Sequence, residues 1–136
     1  MNAYATPPSP PKHILLVEDM PDIQELLKLL LETEGYSISC AFNGKEALDR
    51  IRSSALPRPH LILLDLTMPI MDGYEFIQEQ SQDPELASIP VILMTAVSDS
   101  VEKLSRLKVK GVIKKPIDMD HCLQTLSDAC SQGIQF

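Results

Sequence analysis

The chain has 136 residues, 44% of them apolar, and a formal net charge of −7. That length suits one domain with a compact core, and the acidic balance disfavours a nucleic-acid surface, which needs a basic patch. No apolar run approaches the length needed to cross a membrane, and no charged stretch followed by an apolar block opens the chain, so neither membrane insertion nor a secretory signal is expected. Cys40, Cys122 and Cys130 form no Cys-x-x-Cys pair. They read as small buried hydrophobes in a reducing, cytoplasmic compartment. His13, His60 and His121 lie far apart without metal spacing and are expected at strand edges or helix surfaces.

Residues 1–11, with Pro7, Pro8, Pro10 and Pro11, read as a disordered or extended tail, since proline suits neither a helix interior nor a central strand. His13–Glu18 is a predicted strand. Pro21 suits a helix first turn. Ile23, Leu26, Leu27, Leu30 and Leu31 follow at helical spacing, and Gly35 supplies a stop. Tyr36–Ala41 is a short strand. Asn43 with Glu46 fits a capping box that opens a helix through Ala47, Leu48 and Ile51, broken by Pro57 and Pro59. Leu61–Asp65 is the next strand, followed by a helix over Gly73–Gln80. Pro90–Thr95 is a fourth strand. A weak helix over 99–107 places Val101, Leu104 and Leu107 on one face. Val109–Lys114 is a fifth strand, and 118–130 is a last helix with Cys122, Leu123 and Leu126. The folded domain is expected over 12–131, with a short tail at 132–136.

Five strand–helix units in alternation predict an α/β fold with a parallel sheet covered on both faces. The nearly continuous apolar strands agree, because a doubly covered strand has no solvent face. Of the common doubly wound orders, five strands fit the flavodoxin-like (βα)5 arrangement, order 2-1-3-4-5. Ligands bind such sheets at the carboxyl ends of the strands. There the first strand ends in Glu18-Asp19, the third in Asp65, the fourth in Thr95 and the fifth in Lys114-Lys115.

Two carboxylates about 4 Å apart repel by roughly 4 kcal/mol at an effective dielectric near 20, so this cluster should raise a carboxyl pKa or recruit a cation. Oxygen ligands favour Mg2+ or Ca2+, and Mg2+ commonly bridges to phosphate oxygens. A metal-bound phosphoryl group therefore suits the site. Asp65 is the candidate nucleophile, Lys115 a counter-charge for the transferring oxygens, and Thr95 a hydroxyl that bonds the acyl phosphate only once it has formed. Each residue also has a plainer reading. Asp65 could cap the next helix, Glu18-Asp19 could be helix-start acids, Thr95 could open a loop, and the lysines could be solvated surface charge. Their joint occurrence at four strand ends favours the site.

With these motifs in order (Leu15-Leu16-Val17-Glu18-Asp19, Asp65-Leu66-Thr67-Met68-Pro69-Ile70-Met71-Asp72-Gly73, Pro90-Val91-Ile92-Leu93-Met94-Thr95-Ala96 and Lys115-Pro116) the chain resembles the receiver domain of two-component response regulators over about residues 12–131. The resemblance implies that Asp65 accepts a phosphoryl group from a sensor histidine kinase or phosphotransfer protein. It implies one Mg2+ held directly by Asp19, Asp65 and the backbone carbonyl of Thr67, and by Glu18 mostly through water. It makes Thr95 the switch hydroxyl and Lys115 the phosphoryl contact, before a Lys–Pro bond commonly cis in the family. The expected output is binding to a downstream protein by a stand-alone, single-domain regulator, monomeric or weakly dimeric. No turnover of an external substrate is expected, only slow loss of its own phosphoryl group. The chain departs from the family pattern at Val112, where an aromatic residue is usual three positions before the lysine, and in a Thr95-to-Lys115 segment shorter than is common. Two rivals stay open: a phosphatase of the haloacid-dehalogenase type, which lacks its Gly-Thr after Thr67, and an interaction module independent of phosphorylation.

Overall fold

A computed structural model describes residues 11–53, 57–68, 70–96 and 101–132. Among these, ten elements follow in strict alternation: β1 (His13–Val17), α1 (Pro21–Thr33), β2 (Ser37–Ala41), α2 (Gly44–Arg52), β3 (Leu61–Asp65), α3 (Gly73–Gln82), β4 (Val91–Thr95), α4 (Val101–Ser105), β5 (Gly111–Lys114) and α5 (Met119–Gln132). The sheet is wholly parallel in the order β2-β1-β3-β4-β5, the flavodoxin-like order expected from the sequence.

The apolar strand runs are explained by alternation, which sends successive side chains to opposite faces. Leu15, Val17, Ile62, Leu64, Val91 and Leu93 pack with Ala47 and Leu48 of α2, Phe76 and Ile77 of α3 and Leu104 of α4. Ile14, Leu16, Leu61, Leu63, Ile92, Met94 and Ile113 pack on the other face with Leu27 and Leu31 of α1 and Cys122, Leu126 and Cys130 of α5. Both faces are covered, so after His13 no polar position interrupts β1, and none interrupts β3 or β4 until each strand ends. Burying one such Leu or Ile contributes roughly 1.5–3 kcal/mol, which fixes the register and thereby the relative height of the strand ends.

The helix signals act with some differences. Pro21 opens α1 and Gly35, at φ 98°, follows its end. Asn43 caps α2 by accepting from the Glu46 amide at 2.8 Å, but the Glu46 carboxylate takes the amide of Phe42, not of Asn43, so the expected capping box is not closed there. A full capping box stands instead at α3, where Asp72 accepts from the Glu75 amide and Glu75 from the Asp72 amide. The fourth helix is shorter than the predicted 99–107. Its apolar positions are sparse, and Leu104 is the buried anchor. Residues 99 and 100 lie outside the described residues, as do 1–10 and 133–136 of the two expected tails. The last helix continues two residues past the predicted 130. No helix among the described residues is long and apolar enough to cross a membrane.

Candidate functional site at the carboxyl end of the sheet

Strand register builds the site. Val17 pairs with Leu64, so Glu18 and Asp65, the next residues, stand side by side at the ends of β1 and β3. Asp65 pairs with Met94 and Thr95 with Lys114, which brings the ends of β4 and β5 to the same rim. The backbone ties these ends together across the rim: the amides of Leu66 and Lys115 donate to the carbonyls of Met94 and Thr95, at 3.0 and 2.7 Å.

Glu18, Asp19 and Asp65 each offer a carboxylate oxygen within 4.8 Å of the others. Glu18 is fully buried, Asp65 is 4% exposed and Asp19 is half-buried. The Lys115 ammonium stands 3.3 Å from Asp65 Oδ1 and 3.6 Å from Glu18 Oε1. One cation thus faces three acids. The imbalance falls on Glu18: burial first, and the Asp65 carboxylate second, push its carboxyl up to about 7, against the opposing pull of the Met20 amide and Lys115. Glu18 Oε2 accepts from that amide at 3.2 Å, whereas Oε1 has no hydrogen-bond partner.

Thr95 Oγ1 is likewise buried with no hydrogen-bond partner. A buried hydroxyl without a partner costs roughly 1–3 kcal/mol, and this one sits at the end of the strand beside Asp65. The Thr67 amide donates to Asp65 Oδ1 at 3.3 Å, orienting the carboxylate, while its own side chain is exposed. The Lys115–Pro116 bond is cis. Val112, in the place where an aromatic residue is usual, is partly buried against the α2–α4 side of the core.

All of Glu18, Asp19, Asp65, Thr95 and Lys115 therefore meet at one rim, with Thr67 beside them. The donor set fits a hard divalent cation: three carboxylates, an orphaned buried oxygen and an acid held at raised pKa, with no sulfur or imidazole among them. The lone histidines lie elsewhere. His121 is exposed on α5, and His60 is exposed before β3. His13 differs from the expected strand-edge or surface setting. It is 8% exposed on a central strand, its ring between the hydroxyls of Ser37 and Ser39 at 3.1 and 3.0 Å.

Two positioning residues escaped the motif reading. Gln24 Nε2 donates to the carbonyls of Glu18 and Ala41 and locks α1 to the ends of β1 and β2. Gln80 Nε2 donates to Leu86 and Ile89 and holds the chain entering β4. The signal was present: Gln24 stands three residues before Leu27 and Gln80 three after Ile77, on stripes that are otherwise apolar.

With this geometry in hand, likeness to known proteins is informative. Residues 14–127 match the family model described as the response regulator receiver domain. The transcriptional regulatory protein CrdR of Helicobacter pylori is 39% identical over 111 residues, covering 80% of this chain and 50% of that protein, so the chain spans half of that relative's length. The polar-differentiation response regulator DivK of Brucella anthropi is 35% identical over 118 residues, covering 85% of this chain and 94% of that one. The crystal structure of the signal receiver domain of a histidine kinase from Syntrophus aciditrophicus matches with a TM-score of 0.82 at 35% identity, covering 92% of this chain and 94% of that one.

Proposed function

This chain belongs to the response regulator receiver domain family, and on that premise we propose that it is a Mg2+-dependent phosphoryl acceptor whose phosphorylation at Asp65 switches a protein-binding surface. The observation that carries the reading is Asp65 itself: a nearly buried carboxylate within 3.3 Å of an ammonium and within 4.8 Å of two further acids.

The donor is a sensor histidine kinase or phosphotransfer protein. An Asp65 oxygen attacks phosphorus, the P–N bond of the donor phosphohistidine breaks, and the imidazole leaves with that electron pair. The product is an acyl phosphate on Asp65. Asp19, Asp65 and the Thr67 carbonyl, with Glu18 through water, would hold Mg2+, which would supply neutralising charge on the phosphoryl oxygens. Lys115 supplies the rest from the protein, an arrangement effective because both charges are fixed before the reaction begins. The Thr67 amide keeps the Asp65 carboxylate from rotating away. Thr95 Oγ1, which lacks a hydrogen bond in this state, gains an acceptor once the acyl phosphate exists. Its bond favours the phosphorylated conformation by that differential. The domain spans about 12–131 and acts as a switch. It turns over no external substrate and signals by binding a downstream protein.

Intact-mass measurement after incubation with Mg2+ and acetyl phosphate tests this. One acid-stable, base-labile phosphoryl group is expected on the wild type and none on Asp65→Asn. Unchanged wild-type mass with acetyl phosphate and with a histidine-kinase donor would overturn the reading.

A further inference from the structure

Gln24 is 8% exposed and stands on the stripe of α1 that also buries Leu27 and Leu31. A buried amide on an apolar stripe costs free energy unless its polar atoms are bonded. The Gln24 Nε2 carries two protons and makes two bonds, to the Glu18 carbonyl at 3.1 Å and to the Ala41 carbonyl at 3.0 Å. The Ala41 carbonyl also accepts from the Glu18 amide at 3.0 Å. One side chain thus fastens the end of β1 to the end of β2, and both to α1.

Beside this knot lies the acidic turn. The Glu18 carbonyl that Gln24 holds belongs to the peptide bond leading into Asp19. Two residues on, the Met20 carbonyl accepts from the Gln24 amide at 2.9 Å, and the Met20 amide donates to Glu18 Oε2 at 3.2 Å. Asp19 therefore lies between two carbonyls held by one residue, by its side chain on one side and its backbone on the other. Capping and packing contribute little to fixing this turn. Met20, the N-cap of α1, makes no side-chain cap bond and is 52% exposed, and Pro21 has no amide to donate.

We propose that Gln24 is a positioning residue for the cation: by holding the Glu18 carbonyl it sets where Glu18 and Asp19 present their oxygens, and so how tightly the acidic rim takes Mg2+. The inference rests on the reading of that rim as a Mg2+ site and adds a determinant of its affinity. Groups that orient metal ligands from behind change affinity roughly tenfold to a hundredfold when removed. A role in stability alone makes a different prediction, and the fold supplies a matched comparison. Gln80 is also buried, and its Nε2 also donates to two carbonyls, those of Leu86 and Ile89, at 3.0 and 2.9 Å. It holds the chain entering β4, at the opposite end of the sheet from the acids. Losing either side-chain amide removes two bonds, but only Gln24 grips the backbone that carries proposed metal ligands.

Calorimetric titration of the full chain with Mg2+, wild type beside Gln24→Met and Gln80→Met, provides the test. Methionine keeps an unbranched, flexible side chain and removes the donors. Both variants should melt below wild type without metal. Gln24→Met should bind Mg2+ roughly tenfold to a hundredfold more weakly. Its phosphorylation by acetyl phosphate should need correspondingly more Mg2+, yet reach the wild-type rate at saturation. Gln80→Met should keep the wild-type affinity. The wild type also gives a readout that depends on no variant folding. In isotope-labelled chain followed by NMR, the Gln24 side-chain amide signal should move during Mg2+ titration along the same curve as the Asp19 backbone amide, while the Gln80 side-chain signal stays in place. Unchanged affinity in Gln24→Met, an equal loss in Gln80→Met, or a Gln24 signal that ignores a titration the Asp19 amide follows would each overturn the inference and leave the Mg2+ site standing. A wild type that binds no Mg2+ overturns both.

Discussion

Ile70 carries a positive φ of 70° while 75% of it is exposed. A β-branched side chain in the left-handed region costs about 1–2 kcal/mol, and an exposed one recovers little by burial. The strain is imposed by the residues on either side. The Gly73 amide donates to the Leu66 carbonyl at 2.8 Å, closing the loop tightly. A Cβ at Gly73 would stand 2.8 Å from Leu66 Cα and 3.2 Å from the Asp65 carbonyl. The chain must reverse between Leu66 and the Asp72 cap, and Ile70 takes up the turn. Ile70→Gly should therefore raise stability by about 1 kcal/mol, since the relief exceeds the larger unfolded-state entropy of glycine. Thermal or urea melts check it, and a lower midpoint in the variant would show that the side chain is held by favourable contacts. The sequence marked this loop through Pro69, Asp72 and Gly73. It did not mark Ile70, because isoleucine is a residue that left-handed backbone disfavours.

Strands and helices were legible where apolar runs or spacing were strong, and least so at their ends. Each strand except β3 is shorter than its apolar run suggested: Glu18 lies past β1, Tyr36 before β2, Pro90 before β4, and Val109 and Lys110 before β5. The signal overran because the backbone goes on bonding past the strand ends: the Glu18 amide donates to the Ala41 carbonyl at 3.0 Å and the Lys110 amide to the Val91 carbonyl at 2.8 Å. Tertiary pairs at the lower ends of the strands were not legible. The His13 amide donates to His60 Nδ1 at 2.9 Å across 47 residues, and the His13 ring lies between Ser37 and Ser39. Burial, with His60 second, holds the His13 imidazole below its usual 6.5. With the folded value lowered, the unfolded chain binds more protons below pH 6.5, and stability must fall as pH drops through that region. Above it His13 is neutral in both states and contributes no slope. His13→Gln should flatten the acid side of a stability-versus-pH curve measured by urea unfolding. A variant curve parallel to wild type between about pH 5 and 7 would mean that His13 titrates as freely as a solvated imidazole.

At the scale of the molecule, the clustering at the site was legible because four separate strand ends each carried one or two polar residues after an apolar run. What linear sequence did not contain was how the charges balance: one ammonium serves both Asp65 and Glu18, Glu18 Oε1 is left without a hydrogen bond, and the burden falls on the most buried acid. Those follow from the sheet order and from burial depth, which are properties of the assembled fold. The acidity of the whole chain adds to the same strain, since a net −7 raises the free energy of every carboxylate brought together. A divalent cation that binds only the folded cluster should therefore stabilise the protein by linkage, by about 1.4 kcal/mol at tenfold above its dissociation constant. That corresponds to a rise of roughly 3–5 °C in melting temperature for a domain of this size. Titration with Mg2+ near neutral pH should show that rise in wild type and in Asp22→Ala, whose exposed acid lies in the first turn of α1 and is not one of the three clustered acids. Asp19→Ala, which removes a proposed ligand, should lose it. A shift as large in Asp19→Ala as in wild type would place the cation elsewhere on this acidic surface.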